Sequence, residues 1–162
     1  MTISVGTRLP GAELIRKGEA GFEAVDLAAF LKGRKVVLFA LPGAFTTDCA
    51  VVHLPSFIET AKAFRDKGFD EIACISVNDP FVMAAWGETS GATEAGIAML
   101  ADADAAFTKA VGMAFSAPPV GLYDRSGRYA VAVDDGVITH AMIDEPGACD
   151  VTRGRALLEA LG

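Results

Sequence analysis

The chemistry indicated by this sequence centres on one thiol, Cys49, at the point where a predicted strand passes into a predicted helix. Residues 36–40 are all apolar and are followed by a Pro-Gly pair, which predicts a short buried strand. Thr46 or Thr47 can then cap a helix whose apolar periodicity begins near Asp48. Cys49 therefore falls in the first turn of that helix, where free backbone N–H groups favour a negative charge.

A thiol in that position is suited to nucleophilic chemistry, because the thiolate is the reactive form. Lowering a thiol pKa from about 8.5 to about 6 takes roughly 3.4 kcal/mol of preferential thiolate stabilisation. A helix N-terminus contributes about 0.3–2 kcal/mol of this, and one guanidinium can supply the rest by shifting the pKa about 1–3 units. A reactive Cys49 therefore requires an arginine that is distant along the chain, whereas an inert Cys49 would simply be a small buried apolar residue.

The residues around Cys49 resemble the active-site signature of the peroxiredoxins, thiol peroxidases with a modified thioredoxin fold. The pattern Pro-x-x-x-Thr-x-x-Cys occupies positions 42–49. Its fuller form, Pro-Gly-Ala-Phe-Thr at 42–46 with His-Leu-Pro at 53–55, is similar to the type II branch, which contains mammalian peroxiredoxin-5 and the plant type II enzymes. Other segments that resemble this branch are residues 75–82 with Trp86, residues 125–129 and residues 133–137.

The resemblance implies a role for each residue of the signature. Cys49 would be the peroxidatic cysteine, which attacks a hydroperoxide and becomes a sulfenic acid. Thr46 would orient the peroxide in addition to capping the helix, and the ring of Pro42 would shield the thiolate from water. Arg128 begins a predicted strand and matches the arginine that the family places beside its cysteine, so it is the expected cation, with Arg125 as the alternative.

Gly43, Phe45 and His53 are expected to line the pocket. His53 lies one helical turn after Cys49, so the pair could also be a hydrolase nucleophile with its base, or two metal ligands. No third and fourth metal ligands are evident, since the other histidine, His140, lies on a predicted hairpin strand, and no orienting acid or oxyanion motif of a hydrolase is evident either. We therefore expect no metal and no cofactor, and interpret His53 as a residue that shapes the pocket, with general-base action as the less favoured alternative.

The sequence departs from the family pattern directly before Cys49. Thr47 stands where a proline is usual, and Asp48 stands where a neutral residue is usual. Loss of the proline is expected to loosen the turn. The Asp48 carboxylate would oppose thiolate formation if it faced the sulfur, but would suit the helix N-terminus if it faced solvent.

Two further cysteines could resolve a sulfenic acid at Cys49. Cys74 stands at the separation at which plant type II enzymes carry their resolving thiol, although its place in a predicted buried strand is equally typical of an inert core residue. Cys149 resembles the resolving position of the mammalian branch, which is reached only after local unfolding. The third possibility is direct reduction of Cys49 by glutathione or glutaredoxin. The sequence favours Cys74 slightly.

Composition and charge exclude several classes of function. The formal net charge of −7 and a sequence pI near 4.7 argue against nucleic acid as a partner, and no long apolar run predicts a membrane span. With 52% hydrophobic residues and a mean hydropathy of +0.38, the surplus apolar residues favour a buried face between two subunits, so we expect a homodimer. Three unevenly spaced cysteines and no recognisable secretory signal predict a reducing compartment, by default the cytoplasm.

The elements that must position these residues follow an α/β pattern, a central mixed sheet flanked by helices. Strands are predicted at 35–40, 70–77, 97–100, 128–133 and 137–143, with a hairpin turn at Asp135-Gly136. Helices are predicted at 48–67 with a restart at Pro55, at 80–88 capped by Asn78-Asp79, at 104–111 and at 151–161. Residues 1–34 are an N-terminal extension with a structured piece at 23–31, and residues 117–128 are rich in turns. The resemblance implies one thioredoxin-like peroxiredoxin domain over residues 1–162.

The expected activity is therefore a thiol-dependent peroxidase that reduces hydrogen peroxide and small organic hydroperoxides, in antioxidant defence and redox homeostasis. Its expected reductants are glutathione with glutaredoxin, or thioredoxin. Two other hypotheses remain open from the sequence. The first is a binding or chaperone-like protein on the same scaffold whose thiol is slowed by Asp48, and the second is a cysteine hydrolase that uses Cys49 and His53.

Overall fold

A computed structural model describes residues 3–162, in which nine strands are present. They are Glu13–Gly18 (β1), Gly21–Asp26 (β2), Lys35–Ala40 (β3), Glu71–Ser76 (β4), Ile97–Ala101 (β5), Ala114–Ala117 (β6), Leu122–Ser126 (β7), Tyr129–Asp134 (β8) and Val137–Ile143 (β9). Seven form one sheet in the order β2-β1-β5-β4-β3-β8-β9, while β6 and β7 form a separate antiparallel pair.

The helices are Leu27–Leu31 (α1), Leu54–Asp66 (α2), Pro80–Ser90 (α3), Ala106–Ala110 (α4) and Gly154–Leu161 (α5). A π-helical turn, Cys49–His53, precedes α2, and a short 3-10 turn, Pro118–Val120, joins β6 to β7. Among residues 3–162, none of the helices combines the length and apolar character needed to cross a membrane.

The mixed sheet flanked by helices that the sequence predicted is confirmed. Strands β3, β4 and β5 run parallel and are linked through α2 and α3. Strand β8 pairs antiparallel with the other edge of β3, and β9 returns beside it as the predicted hairpin. This topology brings the end of β3, which leads to Cys49, beside the start of β8, which follows Arg128.

The strand that leads to Cys49 lies at the centre of the sheet. Residues 36–40 are at most 1% exposed, because helices cover both faces of the sheet at this point. On one face, Phe39 stacks on Phe57 of α2 with ring centroids 4.0 Å apart, in a cluster that also contains Cys49. On the other face, Leu38 packs with residues of α1 and α4. Burial on both faces explains why this strand is apolar throughout instead of alternating.

The N-terminal extension is more ordered than the sequence predicted. Strands β1 and β2 form a hairpin along their whole length, and the structured piece expected at 23–31 is the second half of β2 followed by α1. Only Val25 is buried in β2, so no buried alternation marks this strand in the sequence. Met1 and Thr2, which belong to the predicted extension, lie outside the described residues.

Residues 117–128, expected to be turns, contain most of the hairpin formed by β6 and β7. Strand β6 has no fully buried residue, so hydrophobic periodicity could not reveal it. The neighbouring strand β8 also differs from its prediction, because residues 129–133 are all buried instead of alternating. Strands β3 and β9 pair with the two edges of β8. Both of its faces are buried as well, because residues 130 and 132 lie in one core cluster and residues 129, 131 and 133 lie in the other.

The helix predicted at 48–67 begins as the π-helical turn and becomes α2 only at Leu54. The restart expected at Pro55 is confirmed, since this residue lies in the first turn of α2, where a missing N–H costs nothing. Pro80 opens α3 as predicted, and the Asp79 carboxylate caps it by accepting from Val82 N–H at 2.8 Å. Helix α5 begins at Gly154, three residues later than expected, and α4 is shorter at both ends than the predicted 104–111.

Candidate active site

The turn between β3 and Cys49 is fixed by hydrogen bonds within the turn and by one from β4. The carbonyl of Gly43 accepts from Thr46 N–H at 3.3 Å and from the Thr46 hydroxyl at 2.7 Å. Ala44 N–H donates to Asn78 Oδ1 at 2.9 Å, and the Ser76 hydroxyl donates to the same oxygen at 2.6 Å. Asn78 lies two residues after the end of β4, so the segment that leaves one central strand holds the turn that leaves its neighbour.

The threonine cap predicted for the helix start is wrong. The hydroxyl of Thr46 donates to Gly43 inside the turn, and the N-cap residue of the π-helical turn is Asp48, which makes no side-chain cap. Thr47 and Asp48 are both exposed. An exposed Asp48 carboxylate is compatible with the positive end of the helix, which is the benign alternative of the two that the sequence allowed.

Cys49 is the first residue of the π-helical turn and is only 1% exposed. Ala50 N–H donates to Thr46 O at 2.8 Å, and Leu54 N–H donates to Cys49 O. The second bond closes a ring one residue wider than in an α-helix, a local feature that is frequent at functional sites. The cysteine thus lies at the predicted strand-to-helix junction, but on a wider turn than the sequence indicated.

Both candidate arginines reach the segment that carries Cys49, at opposite ends. The Arg128 guanidinium donates through Nη1 to His53 Nδ1 at 3.1 Å and through Nε to Ala148 O at 3.1 Å. Arg125 Nη1 donates to Pro42 O at 3.2 Å. Within residues 3–162, no hydrogen bond joins either guanidinium to the Cys49 thiol. Arg128, the expected cation, and Arg125, the alternative, therefore contact the chain on opposite sides of Cys49.

Gly43 and Phe45 have specific places in the turn. A Cβ on Gly43 would lie 2.5 Å from Arg125 Nη1, so only glycine leaves room for this guanidinium. Phe45 has a φ of +63°, is 55% exposed, and its ring centroid lies 6.2 Å from that of Trp86. The left-handed conformation costs a non-glycine residue about 1 kcal/mol or more, and such strain is often found at functional sites.

His53 is fully buried and uses both ring nitrogens. Nδ1 accepts from Arg128, and Nε2 lies 3.0 Å from Thr152 O, so Nε2 carries the proton and donates it. Burial, together with the nearby charge of Arg128, lowers the pKa of His53 to about 3. The imidazole is therefore neutral near pH 7, and its acceptor nitrogen is already occupied by Arg128.

This arrangement argues against the two other readings of the Cys49–His53 pair. A base for a Cys49 nucleophile would need a free nitrogen within hydrogen-bond reach of the thiol, and His53 has none. His140 lies on β9, where its Nδ1 is 3.1 Å from the Thr139 hydroxyl. In the described part of the chain, no group of three or more His, Cys, Asp or Glu side chains is arranged to hold a metal.

The three cysteines are free thiols, and all are buried. Cys74 is 0% exposed in β4, between Phe39 of β3 and Met99 of β5, and shares a core cluster with Cys49. Burial raises the pKa of Cys74 strongly, and the Cys49 charge raises it further. Cys149 is 8% exposed in the segment after β9, and burial raises its pKa although Arg128 acts in the opposite direction.

Two residues of this site were not assigned a role from the sequence. Asn78, which ties down the turn, was interpreted there only as part of a helix cap. Asp144 follows β9, and its carboxylate accepts hydrogen bonds from Asp150, Val151 and Thr152. The Ile-Ser-Val-Asn-Asp-Pro motif offered a signal for Asn78, but no short-range pattern marks Asp144, because its partners lie six to eight residues away in an irregular segment.

Known proteins that resemble this chain are redoxins and peroxiredoxins. The family model described as Redoxin matches residues 4–156. Peroxiredoxin-2E-2, chloroplastic, from Oryza sativa subsp. japonica is 44% identical over 164 residues, covering 99% of this chain and 73% of that protein. Peroxiredoxin-2E, chloroplastic, from Arabidopsis thaliana is 40% identical, covering 99% and 70%. Reduced Prx3 from Vibrio vulnificus, solved in complex with hydrogen peroxide, superimposes with a TM-score of 0.94 at 42% identity, covering 99% of this chain and 100% of that chain.

One expectation is overturned by these relatives. The lack of a recognisable secretory signal and the cysteine count predicted a cytoplasmic protein. The rice and Arabidopsis relatives are both named as chloroplastic, so the expectation of a cytoplasmic location is wrong by this comparison. Low cysteine usage indicates a reducing environment in general, and that property does not distinguish one reducing compartment from another.

The resemblance first noted in the cysteine turn extends over the whole fold. The fold superimposes on solved peroxiredoxins along nearly the full length of both chains. The curated relatives above are plant peroxiredoxins of the type II branch, as the motifs predicted. This chain therefore belongs to the redoxin family as a type II peroxiredoxin, a thiol-dependent peroxidase.

Proposed function

We propose that this peroxiredoxin reduces hydrogen peroxide and small organic hydroperoxides through Cys49, as a single thioredoxin-like domain that serves antioxidant defence and redox homeostasis. The observation that carries the proposal is the position of Cys49 between two guanidinium contacts. Arg125 binds Pro42 before the cysteine, and Arg128 binds His53 after it. A relative from Vibrio vulnificus was solved with hydrogen peroxide bound, which supports peroxide as the substrate class.

In the proposed step, the Cys49 thiolate attacks the terminal oxygen of a hydroperoxide. An S–O bond forms as the O–O bond breaks, and the electron pair of that bond leaves with the second oxygen. This oxygen takes a proton to become water or an alcohol, and the sulfur becomes a sulfenic acid. The sulfur is oxidised by two electrons and the peroxide is reduced by two, so the step needs no cofactor.

Thr46 and Pro42 are proposed to orient the peroxide and to protect the thiolate. A threonine hydroxyl has one donor and two lone pairs, and Thr46 already donates to Gly43 O at 2.7 Å. Its oxygen is therefore available as an acceptor for the peroxide O–H. The half-buried ring of Pro42 limits the access of water to the sulfur, and the guanidinium groups supply donors for the oxygen that acquires negative charge.

Arg128 is proposed to keep its full charge for the reaction because its partners are uncharged. A neutral imidazole and a peptide carbonyl hold the guanidinium, and within residues 3–162 no carboxylate forms an ion pair with it. An ion pair would offset the positive charge that a thiolate or a developing alkoxide needs. His53 therefore acts in this proposal as a neutral support and not as a base.

We expect Cys49→Ser to abolish peroxide consumption and Arg128→Gln to slow it at least about tenfold at pH 7, because one opposite charge shifts a pKa by about 1–3 units. The measurement is stopped-flow consumption of hydrogen peroxide by the reduced protein. Arg155→Gln is the matched control, since Arg155 is an exposed arginine on α5, and it should react at the wild-type rate. Wild-type consumption no faster than that of free cysteine would contradict the proposal.

For the second half of the cycle, we propose that Cys74 resolves the sulfenic acid and that a thioredoxin-type or glutathione-dependent reductant then restores both thiols. Cys74 shares a core cluster with Cys49, and a charge on Cys49 raises the pKa of Cys74. Cys149 lies in the segment after β9, where the charge that acts most strongly on its pKa is that of Arg128. The Cys74 thiol would displace the sulfenic oxygen as water and form a disulfide. Cys49 and Cys74 are 1% and 0% exposed, so a reductant would reach the disulfide only after this region of the protein opens.

Intact-mass analysis after one equivalent of peroxide tests this assignment. The wild type should lose about 2 Da as a disulfide forms, and Cys74→Ser should instead gain about 16 Da as a stable sulfenic acid or form an adduct with added glutathione. Cys149→Ser is the matched control and should behave as the wild type. If Cys149→Ser prevents the disulfide and Cys74→Ser does not, the two cysteines have the opposite roles.

We further infer a homodimer formed through the apolar side chains around the cysteine turn. Phe45 of the turn, Phe81 of α3, and Val120 and Tyr123 of the β6–β7 hairpin are 55%, 69%, 72% and 63% exposed. The Ala44–Asn78 hydrogen bond joins the turn to the start of α3, and the Arg125–Pro42 bond joins it to the hairpin. We propose that these exposed apolar side chains, carried by three segments that are joined through the cysteine turn, form the interface.

Sedimentation equilibrium checks the dimer directly, with an expected mass of twice the 16.8 kDa of the chain. Val120→Glu should shift the equilibrium to the monomer, because a carboxylate would have to be buried without a partner. Val5→Glu adds the same charge at another exposed apolar position and should remain dimeric. A wild-type protein that sediments as a monomer would rule out this surface as an interface.

The neutral state of His53 predicts a loss of stability in mild acid. In the unfolded chain the histidine titrates near its ordinary value of 6.5, whereas in the folded chain its pKa is about 3. Below pH 6.5 only the unfolded state takes up this proton, so the free energy of unfolding should fall by about 2–3 kcal/mol between about pH 7 and pH 4.5. Urea unfolding at several pH values measures this slope.

The control for the acid effect is His53→Gln, which keeps a polar side chain but does not titrate. Its free energy of unfolding should depend less on pH over the same window, whatever its absolute stability. Equal slopes for the variant and the wild type would mean that His53 is not the group that couples protonation to unfolding.

A further inference from the structure

Arg128 is held at two points by the segment that follows β9. Its main-chain carbonyl accepts from Asp144 N–H at 3.2 Å, and its side-chain Nε donates to Ala148 O at 3.1 Å. Its Nη1 reaches His53, whose other nitrogen binds Thr152 O. Both ends of the segment from Asp144 to Thr152 are therefore connected to the same arginine.

The Asp144 carboxylate gives this segment its shape. Oδ1 accepts from Asp150 N–H at 3.1 Å and Val151 N–H at 3.0 Å, while Oδ2 accepts from Thr152 N–H at 3.3 Å and from the Thr152 hydroxyl. Partial burial alone would raise the pKa of Asp144, but these hydrogen bonds outweigh it and hold the pKa below its ordinary value. The carboxylate is thus ionised at neutral pH, with its lone pairs committed to the segment itself.

These contacts close a ring. Asp144 binds Thr152 through its side chain, Thr152 O accepts from His53, His53 accepts from Arg128, and Arg128 O accepts from Asp144 N–H. Thr152 and His53 are both 0% exposed, so two links of the ring are shielded from competing water. Each link fixes the next, and the guanidinium is the member that faces the cysteine turn through His53.

We propose that Asp144 is a positioning residue for the peroxidase reaction, which holds Arg128 in place through this ring while leaving the guanidinium charge unpaired. The proposal rests on the role assigned to Arg128 above. A carboxylate in direct contact with Arg128 would hold it equally firmly but would offset its charge. Asp144 instead acts through the peptide groups of the segment and through the neutral His53, and among residues 3–162 it forms no ion pair with the guanidinium.

The ring also encloses Cys149. This residue lies between Asp144 and Thr152, and its carbonyl accepts from Arg153 Nε at 2.8 Å. Cys149 is 8% exposed, and we expect this burial to depend on the Asp144 carboxylate, which holds residues 150–152 directly after it. Opening the ring at Asp144 should loosen Arg128 and expose the Cys149 thiol together, which provides a second readout that does not depend on peroxide chemistry.

A double-mutant cycle tests the proposal. Asp144→Asn keeps the shape of the side chain but weakens its hydrogen-bond acceptors. We expect it to lower the rate of peroxide consumption by about 10- to 100-fold, because a small displacement of Arg128 is enough to slow the reaction by this amount. In an Arg128→Gln background the same change should have little further effect, because its action passes through Arg128. Asp150→Asn is the matched control in the same segment, with an exposed side chain, and should react as the wild type.

Two further measurements separate positioning from a general loss of structure. The pH dependence of Cys49 alkylation should move to higher pH in Asp144→Asn while the melting temperature of the variant stays within a few degrees of the wild type. Labelling of Cys149 in a Cys49→Ser background should become faster. If Asp144→Asn fails to fold, Thr152→Val removes one hydrogen bond of the ring and should give a smaller change in the same direction.

The outcomes distinguish this inference from the function on which it rests. If Arg128→Gln leaves the rate unchanged, the role proposed for Arg128 is wrong. If Arg128→Gln slows the reaction but Asp144→Asn has no effect, or if the two effects are fully additive, Asp144 does not act through Arg128 and the inference is overturned.

Discussion

The hydrogen bond between the Arg128 guanidinium and the neutral His53 imidazole is the constraint on which the rest of this site depends. A thiolate needs a positive charge nearby, and a buried positive charge needs hydrogen-bond acceptors, since desolvation without them is costly. A carboxylate would accept hydrogen bonds from the guanidinium, but its negative charge would offset the positive charge that the thiolate needs. Arg128 is half-buried, and a buried imidazole and a peptide carbonyl accept two of its hydrogen bonds, so the guanidinium is held without a carboxylate that would offset its charge.

The sheet brings the remaining parts together because of the order of its strands. The end of β3 leads to the cysteine turn, the end of β4 supplies Asn78 to hold that turn, and the antiparallel β8 starts beside the end of β3, where Arg128 lies. Residues far apart in the chain thus meet at one end of the central strands. The hairpin that carries Arg125 closes the other side of the turn, where Gly43 leaves room for its side chain.

Much of this fold follows from short-range patterns. The apolar run of β3, the Asp79–Pro80 helix start and the restart at Pro55 depend on neighbouring residues, and the sequence predicts them correctly. The β1–β2 and β6–β7 hairpins could not be predicted because their exposed residues carry no alternating pattern. The Thr46 cap failed because the helical turn begins later than predicted, with Asp48 as its N-cap residue. The role of Asp144 could not be predicted because it depends on a segment with no regular structure.

The wider ring of the π-helical turn has a consequence for the direction of the thiol. A hydrogen bond from Leu54 to Cys49 includes one residue more than an α-helical bond would. Each residue of an α-helix advances the chain by about 100° around the axis, so the additional residue sets the angle of Cys49 relative to α2. Deleting Val51 would restore a regular helix and leave every type of side chain in the site unchanged, yet Cys49 would be rotated by about a quarter of a turn relative to α2.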